Sequence, residues 1–349
     1  MSAPVAFGAS AFAMSRTRAN LASLAPVLAL LLLLALLPAV ATSSRILSLA
    51  ITAGINIVAL YGLSVLFGQT GILSLGHAAL VGVGAYAAAI VSRDLGLGFW
   101  SAIPIAAVLS SGIAAVVGFP SLRVSGHHFV IMTFAFGQLL SIVLTNGGDF
   151  TGRATGLDLS APTTLFGVDI GSLPHFYLLT LGFVALSAIA SWAIINSPYG
   201  RTLRAIRENE KLAESIGIDA GRQKIGAFAV SGAFAGVSGV LMAYFLRHIA
   251  PNQFSSFPSI YLALMVMIGG ARLLLGPLAG GILVAFLPEM FDLDPVESRI
   301  LYGVCLIAVI MLLPNGLIAG AMGAGRRVFA RRAPTPRSTS PDRIPASGS

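Results

Sequence analysis

The chain has 349 residues, of which 56% are apolar and only 10% charged, and its mean hydropathy is +0.89. A water-soluble domain carries about 25% charged residues, so this composition cannot cover a globular surface and excludes a soluble enzyme or a nucleic-acid binder. Cys305 is the single cysteine and cannot close an internal bridge. The 21 Lys and Arg against 13 Asp and Glu give a formal charge of +8, which in a membrane chain reports orientation rather than an anionic partner.

In chain order, apolar runs predict spanning helices over 24–42, 46–67, 77–92, 100–118, 127–146, 174–196, 225–246 and 299–320, because only a helix satisfies its own backbone groups in lipid. The first run follows Arg16 and Arg18, and the small residues Ala39, Ala41 and Ser43 leave a cleaved secretory signal as an alternative. Between 259 and 288 the apolar run is interrupted at Ala271 to Gly276. If this is a turn, 259–270 and 277–288 form a broken pair. The expected architecture is then an all-α polytopic bundle of about ten segments, some short or broken, with both termini cytoplasmic. Only Arg45, Arg93, Arg153, Arg247 and Arg299 then fall outside, against the remaining sixteen of 21 Lys and Arg inside, the bias that the positive-inside rule requires.

Apart from Arg299, the first residue of the last run, no Asp, Glu, Lys or Arg lies within an assigned span. Ion-coupled transporters and proton pumps usually place such groups in the membrane, so a stand-alone secondary transporter is the weaker alternative. Polar residues in or beside these spans include Asn56, Gln69, His77, His127, His128, Gln138, Asn146 and His175. His127 and His128 are adjacent and point to different helix faces, so they do not have metal spacing. No cofactor is expected.

The loop 147–173 is rich in Gly and is predicted on the outside, as is the acidic loop 289–298 with Glu289, Asp292, Asp294 and Glu297. The segment 1–23 and the Arg-, Pro- and Ser-rich tail 321–349 are read as cytoplasmic, the tail as disordered because it has nothing to bury.

Three stretches carry the candidate chemistry. The hydrophilic segment 197–224 is predicted to hold a helix over 203–217: Ser197 caps, Pro198 suits the first position, Leu203, Ile206, Ala213 and Ile216 recur at helical spacing, and Gly217 supplies the stop. Its cations Arg201, Arg204, Arg207, Lys211, Arg222 and Lys224 are mixed with Glu208, Glu210, Glu214 and Asp219, which suits a protein partner better than a lipid surface. The other two are Gly68 to His77 and Gly269 to Pro277, one in each half of the chain. Such interruptions often mark where helices break and expose backbone along a substrate path; close packing through small residues is the alternative. The phosphate-binding pattern GxxxxGK[ST] is absent, so the chain carries no recognisable ATP site.

The stretches GQTGILSLGHAALVGVGAYAAA (68–89), SLRVSGHHFVIMTFAFGQLLSIVLTN (121–146) with TGRATGL (151–157), SPYGRTLRAIRENEKLAESIGID (197–219) and MIGGARLLLGPLAGG (267–281) resemble the membrane permease subunits of bacterial branched-chain amino acid ABC importers, specifically the longer of the two homologous permeases. The resemblance implies a non-enzymatic subunit of the inner membrane with a second permease, two ABC ATPases and a periplasmic or extracellular solute-binding protein as partners, besides membrane lipid and an amino acid substrate, and no nucleic acid. It implies that 24–320 is the permease domain and that 197–224 is the coupling loop, with Arg204, Arg207, Glu214, Ser215, Ile216 and Gly217 facing an ATPase. The substrate path is assigned to Gln69, Thr70, Ser74, His77, Gln138, Gly269 and Gly270. Two departures bear on the solute: Ala271-Arg272 follows the paired glycines where the family often has Gly-Thr or Gly-Ser, and Gln138 stands where an acidic residue is common. Related permeases serve urea and short-chain amides, so that class is the alternative substrate.

Overall fold

The computed structural model describes residues 24–40, 43–121, 127–159, 164–165, 168–169, 171–291 and 294–312. The terminal segments 1–23 and 321–349, and the end of the last expected span, lie outside them.

Twelve helices are considered: α1 (Leu24–Ala39), α2 (Ser44–Thr70), α3 (His77–Leu95), α4 (Phe99–Ser121), α5 (His127–Asn146), α6 (Leu173–Asn196), α7 (Pro198–Glu208), α8 (Glu210–Ser215), α9 (Ala220–Leu246), α10 (Ser256–Gly269), α11 (Gly276–Met290) and α12 (Pro295–Leu312). Among the described residues, six helices (α2, α3, α4, α5, α6 and α9) are long and apolar enough to cross a membrane, so this is a multi-pass membrane protein. The expected broken pair forms as two shorter helices, α10 and α11, joined by a turn. Instead of one helix over 203–217 there are two, α7 and α8. The reason is Asn209, whose extended backbone ends α7 while its side-chain oxygen accepts a hydrogen bond from Leu212 N at 3.1 Å and starts α8. A polar cap competes locally with helix propagation.

The only strands among the described residues are two-residue pieces. Leu157–Asp158 pairs antiparallel with His248–Ile249 and ties the long loop after α5 to the end of α9; Thr164–Leu165 pairs with Val168–Asp169. His248 Nδ1 and Asp158 Oδ1 stand 2.7 Å apart across the first pair.

Helix α9 runs through the centre, packed on α2, α3 and α4. Between apolar helices in lipid there is no hydrophobic driving force, so close van der Waals contact must hold them. The sequence supplies it with small residues. A Cβ built on Gly84 would overlap the Gly236 backbone, one on Gly239 would overlap the Val81 carbonyl, and one on Gly232 would lie 2.6 Å from Ala114 Cβ. Two hydroxyls join helices at the same level, Ser238 Oγ donating to Ile55 O at 2.8 Å and Ser110 Oγ to Leu80 O at 3.1 Å.

Because both sides of the α3 and α9 contact are backbone, neither can yield. Gly239→Leu should therefore destabilise the bundle by about 1–3 kcal/mol or more, the usual cost of overpacking. Thermal unfolding in detergent should show a clearly lowered midpoint, whereas Gly303→Ala on α12, where a Cβ meets nothing within 4 Å, should leave it unchanged.

Candidate functional site

Two helix interruptions meet in the interior. The first, 71–76, separates α2 from α3. Gly71 ends α2 at φ 78°, its N–H donating to Phe67 O at 3.0 Å. That left-handed conformation is why glycine stands there. The groups freed by the break find side chains from distant helices. Leu75 N donates to Thr133 Oγ1 of α5 at 3.1 Å, and Ala78 N to Ser259 Oγ of α10 at 3.0 Å. Locally, Ile72 N donates to Thr70 Oγ1 at 3.2 Å and Gly76 N to Ser74 Oγ at 3.3 Å.

The second interruption is the turn between α10 and α11. Gly270 adopts φ 93°, and its N–H donates to Val266 O at 3.0 Å. The two helices close on backbone alone, since a Cβ on Gly269 would overlap the Gly276 carbonyl and one on Gly276 would overlap the Gly270 carbonyl. The two breaks also touch each other: a Cβ on Gly68 would overlap the carbonyl of Ala271.

The hydrophilic segment sits against this junction. Ser197 Oγ accepts from Gly200 N at 3.2 Å to start α7, whose Leu203 and Ile206 are buried. Arg207 reaches across and donates through Nη1 to the carbonyls of Gly68 and Phe67 at the end of α2. Its aliphatic stem lies beside Gly71, where a Cβ would be 3.5 Å from Arg207 Cγ. Helix C-termini carry unpaired carbonyls and partial negative charge, so a guanidinium is the fitting cap. Burial, joined by the like charge of Arg272, pushes the Arg207 guanidinium below its ordinary value, with Glu208 opposing. Lys224 at the start of α9 pairs with Glu210 of α8 at 2.5 Å, and Tyr199 Oη donates to Gln223 O at 2.9 Å. The segment is thus strapped to α2 on one side and α9 on the other.

Of the expected path residues, Gln69 (2% exposed), Thr70, Ser74 and His77 (0% exposed) are buried at the first break, with Gly269 and Gly270 at the second. Gln138 is not among them: it lies exposed on α5, where its Oε1 accepts from Ser256 Oγ at 2.6 Å. Gln69 Oε1 and His77 Nδ1 are buried with no hydrogen-bond partner, while His77 Nε2 stands 3.4 Å from Ser231 Oγ. Of the coupling-loop residues, Arg204, Glu214, Ser215, Ile216 and Gly217 are exposed, and Arg204 Nη2 donates to Ile195 O at 3.1 Å. Arg207 differs in facing inward. Thr133, Ser231 and Ser259 complete the junction and carried no signal in the sequence beyond being hydroxyls in apolar runs.

Residues 45–312 match the model of the branched-chain amino acid transport system / permease component family, which covers most of the chain, both breaks and the strapped segment. The chain belongs to this family. This family member is 29% identical over 280 residues to the high-affinity branched-chain amino acid transport system permease protein LivM of Escherichia coli (strain K12), covering 74% of its own length and 66% of the relative's. It thus spans just under two thirds of that relative. It is 25% identical over 233 residues to the probable branched-chain amino acid transport permease protein LivM of Methanocaldococcus jannaschii, with 62% and 67% of the two chains covered. The ribose import permease protein RbsC of Haemophilus influenzae is 24% identical over 223 residues, again 62% and 67%. No solved structure matches the chain.

Arg207→Ala removes the guanidinium from the Gly68 carbonyl and from Phe67 O, which keeps its bond from Gly71 N, and a hydrogen bond to a charged group is worth about 1.5–3 kcal/mol. Limited trypsin digestion should cut at Arg204 or Lys211 several-fold faster in the variant, because the segment loses its strap. Arg207→Lys, with one donor point in place of a planar fork, should restore protection only in part.

Proposed function

We propose that the chain is one half of the membrane channel of an ATP-binding-cassette importer, carrying branched-chain or related neutral amino acids inward across a bacterial inner membrane. The observation that carries this reading is the strapped segment 198–217, seen together with the family match. Leu203 is buried in the bundle core and Ile206 and Ala213 against Ala220 at the start of α9, while Leu212 (62% exposed) and Ile216 (73% exposed) are apolar residues left open near its end. Leu212 lies on α8 and Ile216 directly follows its last residue. Exposed apolar residues interleaved in sequence with the charged Lys211 and Glu214 fit a groove on a protein partner. The missing phosphate loop puts ATP binding on that partner.

In this reading two ABC ATPases receive the segment, a second, homologous permease completes the channel, and a periplasmic or extracellular solute-binding protein delivers the solute. The chain makes about ten crossings, with residues 1–23 and 321–349 cytoplasmic, as its positive charges require. Residues 24–320 form the permease domain and 197–224 the coupling loop. The ATPases can shift the bundle only by binding its states with different affinity. Movement of α7 would pull on Arg207, and through it on the end of α2 and the breaks where Gln69, Thr70, Ser74, His77, Gly269 and Gly270 lie. The orphaned Gln69 Oε1 and His77 Nδ1 support a path that is closed here. Buried polar atoms without partners are costly, and water or a passing amino acid in an open state would satisfy them.

The decisive measurement is ATP-dependent uptake in proteoliposomes that contain this chain, its partner permease, the ATPases and the binding protein. Leucine, isoleucine or valine should accumulate only with all parts present. Urea or amide uptake would replace the substrate, and ATP-independent flux by the chain alone would discard the importer. Gly217 adopts φ 88° with open space around it, so Gly217→Val strains the backbone without a clash. It should cut solute-stimulated ATP hydrolysis several-fold while leaving membrane insertion intact.

A further inference from the structure

At the end of the bundle away from the junction lies a recess of about 270 Å³ between α2, α9, α10 and α12. Chain direction fixes its place. Thr52 and Asn56 stand in the first half of α2, Met242 and Phe245 at the end of α9, and Phe257 at the start of α10, whereas the breaks occupy the opposite ends of α2 and α10. Asn56 is fourteen residues before Thr70, or about 21 Å along the helix.

The recess is chemically two-sided. Met242, Phe245 and Phe257 supply an apolar wall. Most of its polar groups are already engaged: Thr52 Oγ1 donates to Ser48 O at 3.0 Å, Gln253 Oε1 accepts from Ala250 N at 3.3 Å, and Tyr261 Oη donates to Val284 O at 3.4 Å. Asn56 is the exception. Its carboxamide lines the recess and has no hydrogen-bond partner among the described residues. A carboxamide left facing hydrocarbon costs free energy. Arg299 of α12 lies over the Phe257 ring, 5.2 Å from its centroid, and brings a positive charge to the same wall. By contrast, the cavity of about 250 Å³ between α1, α2, α6 and α11 is lined almost wholly by aliphatic side chains, and its Tyr177 hydroxyl already donates to Leu34 O at 2.8 Å.

We infer that the recess around Asn56 is a binding site for a small aliphatic zwitterion, on the side of the bundle where the solute arrives. The volume is below the roughly 300–1,000 Å³ of sites for drug-sized ligands, which limits the occupant to a molecule the size of an amino acid. The apolar wall takes the branched side chain. The Asn56 carboxamide both donates and accepts, so it can meet the carboxylate or the ammonium group, and Arg299 complements the carboxylate. This assignment rests on the importer reading. It adds to that reading a solute contact on α2 that is separate from Gln69 and His77.

The test uses the complete transporter in proteoliposomes and a diazirine analogue of leucine as probe, followed by illumination and peptide mapping. Label should appear on the peptides holding Asn56, Phe257 or Tyr261 and should be removed by excess leucine. Asn56→Leu keeps the bulk and loses the hydrogen bonds. It should lower both labelling and leucine uptake roughly tenfold, the equivalent of one hydrogen bond to a charged group, with Asn56→Ser partly restoring them. Leucine uptake by the wild-type complex without competed label in these peptides would overturn the site and leave the importer standing. Label competed by a lipid but not by leucine would also overturn it, making the recess a lipid pocket. Absence of ATP-driven uptake by the wild-type complex would instead strike the importer reading itself.

Discussion

A helix that stops in a protein interior exposes amide and carbonyl groups that must find partners there, and the arrangement of this bundle follows from where those groups find them. The two interruptions are not independent. At the first, Leu75 N and Ala78 N donate to Thr133 Oγ1 of α5 and Ser259 Oγ of α10, and the second lies directly against it at Gly68 and Ala271. The order in which the helices pack is therefore dictated by hydrogen-bond accounting at the breaks as much as by apolar contact. The glycines at 68, 269 and 276 are needed because backbone must approach backbone there, and at 71 and 270 because the chain turns with positive φ.

Arg207 completes this accounting from outside the apolar core. Its guanidinium satisfies the last carbonyls of α2, a position where helix geometry leaves acceptors and where a cation is favoured. The cost of partly burying that charge near Arg272 is visible in the depressed proton affinity of the group. A cation held at some expense in a strap is a poor stabiliser by comparison with an apolar contact. It is, however, well suited to a joint that must release and re-form, since two hydrogen bonds are exchanged without disturbing close packing. The dense glycine-mediated contacts of α9 with α3 and α4 lie elsewhere, so the rigid and the adjustable parts of the bundle are separated.

Much of this was legible in the residues. Apolar runs place the long helices, charge bias argues for the turn at 271–276, and α10 and α11 form on either side of it. Composition and the spacing of Ser197, Pro198 and Gly217 mark a capped hydrophilic segment. What periodicity could not show is the break at Asn209, because its apolar positions continue in register across it while one side chain caps the next helix. Nor could it separate Arg207 from Arg204: both are basic and three residues apart, yet one donates to α2 and the other to the end of α6. Gln138 shows the same limit. Its polarity in an apolar run suggested a place with Gln69 and His77, but helix rotation puts it at the surface on Ser256. Direction around a helix axis is decided by partners distant in sequence, such as the pairing of Leu75 with Thr133, and a single sequence does not encode that as a local pattern.

The geometry has one further mechanical consequence. Helix α2 is the element shared by the recess and the junction: Asn56 stands in one half and Gly68 at the other end, and α2 also packs on α6, α9 and α11. No proline interrupts the 27-residue α2. An uninterrupted helix transmits displacement along its axis better than it absorbs it, because bending needs a proline, a bulge or an inserted group. A solute that contacts Asn56 and a partner that moves Arg207 therefore act on the middle and on one end of the same rod. Coupling between them needs no relay of rearranging side chains, only two positions of α2 that the solute and the partner favour differently.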